Sequence, residues 1–275
     1  MRNLSRPVFA ASEVFDAAAS RFTDSEFRRR LAVERASMLA SARAYEQAAN
    51  TSSLHLIPQA SDVGCLSNSE LVSLYSYGLL RRKSVAREFY EKIKLSAKNV
   101  CPSCNHRAVA QLDHYLAKSK FGAFVVDPNN LVPICHQCNF DKLSRSAETF
   151  ADLPLHPYFD DIGRTFWLKC ELIESPNPIG RFFVDKSILS GELGQKVENH
   201  MMSLSLDVLY TVESAVEINR LSAFIRRMRT IGEVTSSQIL RSKAEAAEET
   251  EPNSWRHALY RACASEVWFL RHLDQ

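Results

Sequence analysis

The chain is 275 residues long, 45% hydrophobic and nearly neutral, with a formal net charge of +2. That is enough apolar material for one large core or two small ones. It is too little charge for a polycation, so any nucleic-acid binding has to be local. The N-terminal segment has no long apolar run or cleavage signature, no stretch reaches bilayer length, and no disulfide framework is apparent. The expectation is a soluble cytoplasmic protein with no membrane contact.

Residues 1–98 read as a helical region. Thr23–Glu26 has the pattern of a capping box and opens an Ala/Arg/Glu-rich run to about Ala49, with Phe27, Leu31, Ala42 and Tyr45 near one face. Ser67–Glu70 caps a second helix through Leu71, Leu74 and Tyr75. A third helix, Ser84 to Ala97, carries Val85, Phe89 and Ile93 at i, i+4 and i+8. These stripes are assigned to the core. A basic stretch, Arg81, Arg82, Lys83, Arg87, Lys92, Lys94 and Lys98, leads onward and is extended by Lys118, Lys120 and Arg145. It suits either a surface that grips a phosphate backbone or a solvated helix face.

Residues 99–160 form a second segment. Two C-x-x-C pairs, Cys101/Cys104 and Cys135/Cys138, bracket an Asp113-His114 dipeptide. Two such turns brought side by side complete a closed four-sulfur shell, the donor set of structural Zn²⁺. An iron–sulfur cluster would accept the same thiolates, and a redox pair would need only one turn. A closed shell folds the segment and does no chemistry. His106 and His136, within the knuckles, are bystanders once four cysteines are present. Between the pairs, Arg107–His114 reads as a strand, Asp127–Asn130 as a turn and Leu131–Ile134 as a second strand. A helix from His136 carries Asn139, Lys142 and Leu143.

LDHYLAKSKF, PNNLVPICHQCN and Lys142, taken in that order, resemble the HNH endonucleases. Their catalytic unit is a ββα-metal fold, here in the branch braced by two C-x-x-C pairs. Proline is usual in that family where Ala117 stands and frequent where Gly122 stands, which puts the connecting loop in doubt more than the chemistry. The resemblance implies metal-dependent hydrolysis of a DNA phosphodiester, RNA not being excluded. His114 would be the general base, with Asp113 and Asn139 as oxygen ligands to Mg²⁺ or Mn²⁺. Asn130 would fix the His114 ring. Lys142 would meet a phosphate or lie on a solvated face, and Lys118 and Lys120 would contact nucleic acid.

Residues 161–275 read as a short hairpin followed by helices. His156, in Leu155–Asp160, is expected to pack among aromatic rings. Phe166–Ile173 and Phe182–Val184 suggest two strands, and His200 to about Arg229 a helix. Ala244–Pro252 reads as an acidic helix end or linker, and Trp255–Leu273 as one amphipathic helix with Trp255, Leu259, Cys263 and Val267 in register. Cys65, Cys170 and Cys263 are expected to be buried hydrophobes.

The fold class expected is therefore mainly α with a small α+β module, a zinc-stapled ββα-metal core between helical flanks. The flanks resemble those of prokaryotic HNH proteins, some encoded beside an ATPase in anti-phage systems. A defence effector with an ATPase partner is an expectation resting on that resemblance alone. The rival readings are a zinc module that binds nucleic acid without cutting it, and an interaction protein whose helices serve a partner. Oligomeric state is not legible.

Overall fold

The computed structural model describes the chain except residues 83, 143–146, 163–164, 233–234 and 275. The expectations for Lys83, Leu143 and Arg145 lie outside the described residues. The fold is mainly helical with two small antiparallel hairpins. It divides into two compact units, residues 2–161 and residues 162–275 with Met1. The helices before residue 98 and the cysteine-bracketed segment after it thus belong to one unit and share a core.

In the 2–161 unit the helices are α1 (Ala11–Ala19), α2 (Ser25–Asn50), α3 (Asn68–Ser73), α4 (Val85–Ser96) and α5 (His136–Lys142). Asp24 caps α2 by accepting the Phe27 N–H at 2.6 Å, so the cap falls one residue after the expected Thr23. A capping box between Ser67 and Glu70 opens α3 as expected. α3 then widens into a π-helical turn, Leu74–Leu79, in which the Leu80 N–H reaches the Tyr75 carbonyl at 3.0 Å. Gly78 in this turn lies against α1, where a Cβ would stand 2.8 Å from the Ala18 carbonyl oxygen. In α4 the buried face is Ala86, Tyr90 and Ile93, whereas Val85 is exposed. Of the expected stripe, Ile93 is buried and Phe89 packs half-buried against the core, while Ala86 and Tyr90 take the inward positions beside them and only Val85 faces out.

Strands β1 (Gln111–His114) and β2 (Leu131–Ile134) pair antiparallel, with Asp113 opposite Val132 and His114 opposite Leu131. β1 is shorter than the sequence suggests because Arg107–Ala110 folds back on the first knuckle. The Cys101 N–H reaches the Arg107 carbonyl at 2.8 Å and the Val109 N–H the Asn99 carbonyl at 3.1 Å. All four residues of β2 are buried, since both faces of the hairpin are covered. Leu112 and Leu131 join a core with Leu31, Leu71, Leu79 and Ile93. Val132 and Tyr115 join a second with Tyr45, Phe124 and Tyr158. The 26-residue α2 contributes to both, through Leu31 and Tyr45. Each such fully buried side chain stabilises the fold by about 1.5–3 kcal/mol.

In the 162–275 unit, β3 (Leu168–Ile173) and β4 (Ile179–Val184) form the second hairpin, packed on α7 (Leu206–Ile231) and α9 (Trp255–Ser265). α6 (Gly191–Ser203) and α7 replace the single helix expected from His200, because Ser205 adopts the left-handed conformation between them (φ 49°). The acidic stretch is the exposed end of α8 (Ser236–Thr250). The last expected helix is two, α9 and α10 (Val267–Asp274). Extended backbone at Glu266 turns Phe269 and Leu273 inward and leaves Val267 exposed. Cys263 is buried and Cys170 half-buried, but Cys65 is exposed, contrary to expectation. It follows Gly64, whose positive φ of 53° makes a turn against Glu34, and its N–H bonds that carboxylate.

Candidate metal centre and active site

The two knuckles come together at the open end of the β1–β2 hairpin, where Gln111 pairs with Ile134. The sulfurs of Cys101, Cys104, Cys135 and Cys138 all lie within 4.8 Å of one another, and all four residues are buried. Two backbone N–H groups point at sulfur, Arg107 to Cys104 and Cys138 to Cys135, both at 3.4 Å. Hydrogen bonding among the thiols holds Cys104 below the usual thiol range and Cys138 above it. Four converging sulfurs of this kind share protons poorly and suit a single cation that replaces them. The group includes neither His106 nor His136.

Beside this cluster, β1 ends on Asp113 and His114, and strand alternation sends the two side chains to opposite faces. His114 is 5% exposed. Its Nε2 lies 2.8 Å from the Val125 carbonyl, which can only accept, so Nε2 carries the ring proton. Nδ1 therefore holds the lone pair and has no hydrogen-bond partner among the described residues. Burial pushes the imidazole down to about 4, partly offset by the Val125 carbonyl and by Asp113. The ring is thus neutral at physiological pH.

Asn130 is fully buried, and its amide is used up inside the loop. Oδ1 accepts from the Leu116 N–H at 2.7 Å, and Nδ2 donates to the Leu116 and Phe124 carbonyls at 3.1 Å each. The partner of the His114 ring is therefore Val125, and Asn130 acts one step removed by fastening the loop that carries it. Its own carbonyl accepts the Tyr115 N–H at 2.7 Å. Asp127 closes the same turn by accepting the Asn129 N–H at 3.0 Å, while its Oδ2 is buried without a hydrogen bond. Burial raises this carboxyl to about 7.

Lys142 and Asn139 stand one helical turn apart on α5. Lys142 Nζ donates to Asp113 Oδ2 at 2.6 Å and to the carbonyls of His114 and Tyr115 at 2.6 and 3.0 Å. Its side chain is 16% exposed, so it is a partner of Asp113 and not a free cation on a solvated face. The Asn139 amide makes no side-chain hydrogen bond among the described residues.

Lys118 lies in the loop above His114, 5.1 Å over the Tyr75 ring, with no carboxylate partner among the described residues. Its charge is felt at His114, which it disfavours from protonating. Lys120 is half-buried in the same loop. The basic stretch on α4 is divided: Arg87 pairs with Glu91 at 2.8 Å and covers the Tyr90 ring, while Arg81, Arg82, Lys92 and Lys98 are exposed.

His156 is 1% exposed, bonded to the Tyr45 hydroxyl at 3.0 Å and packed on Tyr115 and Phe159. Two participants escaped sequence reasoning. Val125 acts through a backbone carbonyl, which carries no residue signature. Tyr75 packs edgewise on the His114 ring with centroids 4.5 Å apart, yet in the sequence it is one more apolar residue of a helical stripe.

No protein-family model matches the chain, and no solved structure matches it. In sequence it is similar to Protein ea31 of Escherichia phage lambda, being 25% identical over 228 residues that cover 76% of each chain.

Proposed function

We propose that residues 2–161 form a zinc-braced HNH-type endonuclease that hydrolyses DNA phosphodiester bonds with a divalent cation. The observation that carries this reading is the state of His114: a buried neutral imidazole whose Nε2 proton is fixed on the Val125 carbonyl, leaving Nδ1 as a free base.

The four cysteines would hold Zn²⁺ and carry no step of the reaction. For the reaction itself, one carboxylate, Asp113, and one amide oxygen, Asn139, are hard donors that fit Mg²⁺ or Mn²⁺. When bound there, the cation would lower the charge on the scissile phosphate and stabilise the departing 3′-oxygen. His114 Nδ1 takes a proton from the attacking water, and the Val125 carbonyl steadies the imidazolium that forms, through the Nε2–H it already accepts. Asn130 keeps that carbonyl in place. Lys118, with no carboxylate partner among the described residues, supplies charge for a phosphate oxygen. Lys142 neutralises Asp113 in the absence of a cation and is within a turn of Asn139 for a second phosphate contact.

The test is plasmid cleavage by purified protein with Mg²⁺ or Mn²⁺, beside EDTA and His114→Ala controls. The expected result is metal-dependent nicking or linearisation, reduced at least about 10²-fold in the variant with its zinc retained. DNA binding that survives His114→Ala, with no cutting under any metal or added partner, would make the module a binding element instead. If the protein is an effector released by an ATPase partner, cleavage by the chain alone is weak and rises on adding that partner.

A further inference from the structure

The helical region before the knuckles touches the proposed site at several points, and these contacts converge on one residue. Asn68, at the start of α3, donates to the Lys118 carbonyl at 2.9 Å. Gly122 donates its N–H to the Ala60 carbonyl at 2.9 Å, and a Cβ on it would stand 2.0 Å from the Ser61 carbonyl oxygen. A proline there would lose that hydrogen bond and collide, so the loop is shaped to receive the 60–75 segment. From that segment the π-helical turn presents Tyr75, which is 4% exposed. Its ring meets the His114 ring at 4.5 Å and 67°, and the Lys118 ammonium lies 5.1 Å from its centroid. One aromatic face and edge thus touch both the candidate base and the candidate phosphate-binding cation. π-Turns interrupt an α-helix at some cost and recur where a side chain has to be aimed.

We propose that Tyr75 is a positioning residue of the active site, a rigid platform that fixes the His114 ring plane and the Lys118 ammonium at once. The ring does this work and the hydroxyl does not: its hydrogen bond to the Leu112 carbonyl is long at 3.5 Å. Ring-to-ring packing limits rotation of the imidazole about its Val125 hydrogen bond, keeping Nδ1 aimed. The cation–π contact restrains a flexible lysine that no carboxylate holds among the described residues. The N-terminal helices are then part of the catalytic apparatus. This proposal rests on the nuclease reading, but its structural half can be tested without cleavage.

The experiment compares full-length wild type with Tyr75→Phe, Tyr75→Leu and Tyr75→Met, using zinc content and thermal melting as controls for folding. The His114 ring signals are followed by ¹H–¹³C NMR, and kcat and KM are measured on DNA with Mg²⁺. Tyr75→Phe is expected to keep the His114 signals and kcat. Tyr75→Leu and Tyr75→Met are expected to shift the His114 signals and lower kcat about tenfold or more, with zinc retained. Lys118→Ala raises KM more than it lowers kcat. Unchanged His114 signals in a folded Leu or Met variant would overturn the proposal, as would a Phe variant as impaired as they are. If no protein cuts DNA, the nuclease reading fails, while the NMR comparison still decides whether Tyr75 holds His114.

Discussion

The two hairpins of this protein are built to opposite plans. β3–β4 follows the ordinary rule for a sheet packed on one side: six-residue strands, a short turn, and burial that alternates along β4. β1–β2 has four-residue strands, a 16-residue connection from Tyr115 to Asn130, and no solvent face on β2. The first is a platform for α7 and α9. The second is a frame for its own connection, which buries Asp127 and Asn130 and supplies the Val125 carbonyl to His114. A short turn closes a hairpin by backbone geometry alone. A long one has to be closed by side chains, and here the closing groups are also those that aim the candidate base.

That contrast can be broken at several depths. The largest effect is expected from Cys138→Ser. Losing one of four sulfurs should abolish stoichiometric zinc, whose apparent binding energy in such sites is on the order of 10 kcal/mol. Hydrogen exchange should then show β1 and β2 deprotected while β3 and β4 keep their protection. Loss of protection in both hairpins together would show that they do not differ in what closes them. Next, Asn130→Ala removes three buried hydrogen bonds and should cost about 3 kcal/mol in urea unfolding of the first unit, with loss of cleavage.

Asp127 sharpens the comparison through pH. Its folded pKa, raised by burial to about 7, lies above the ordinary 3.8, so the fold favours the protonated acid. Stability is therefore fully present below about pH 4 and is lost as pH rises towards 7. Asp127→Asn should gain about 2 kcal/mol at pH 8 and nothing at pH 4, read from melting curves at the two pH values. His114 has the opposite slope. Its lowered pKa penalises the charged ring, so its contribution is present above pH 6.5 and lost as pH falls towards 4.

In the second hairpin the effects should be smaller. Ser214→Ala removes the hydroxyl that accepts the Gly180 N–H at 2.8 Å and should cost about 1 kcal/mol without changing cleavage. Breaking the exposed Arg181–Glu171 pair with Glu171→Gln should change stability by less than about 0.5 kcal/mol. A cleavage defect in either variant would contradict a purely packing role for this hairpin.

What could be read in the sequence follows from how local the determinants are. The knuckles, β2, the Ser67 cap and the helix from His136 announce themselves through spacing and short-range pattern. The position of His114 at a strand end was legible too, because Asp-His closes an apolar alternation. The partners were not. Lys142 lies 29 residues from Asp113, and nothing in its helical surroundings distinguishes an inward lysine from a solvated one. In α4 the stripe holds at Ile93 and Phe89 but fails at its first residue, where Val85 and Ala86 are both acceptable inside and only the fit of Tyr90 against the hairpin chooses. The breaks at Ser205 and Glu266 use neither glycine nor proline, so no local signal marks them.

The cysteine cluster has one more consequence. It draws residues 101–104 and 135–138 together, so the chain between them is a closed ring once a metal is held. Asp113, His114 and Asn130 lie inside that ring, and Asn139 directly follows it. Ser119 is exposed on its circumference, flanked by Lys118 and Lys120. A single tryptic cut there would open the covalent ring without freeing either half, because each carries one pair of sulfurs to the common ion. The nicked protein should remain one particle, and a chelator should lower its melting temperature further than it lowers that of the intact chain.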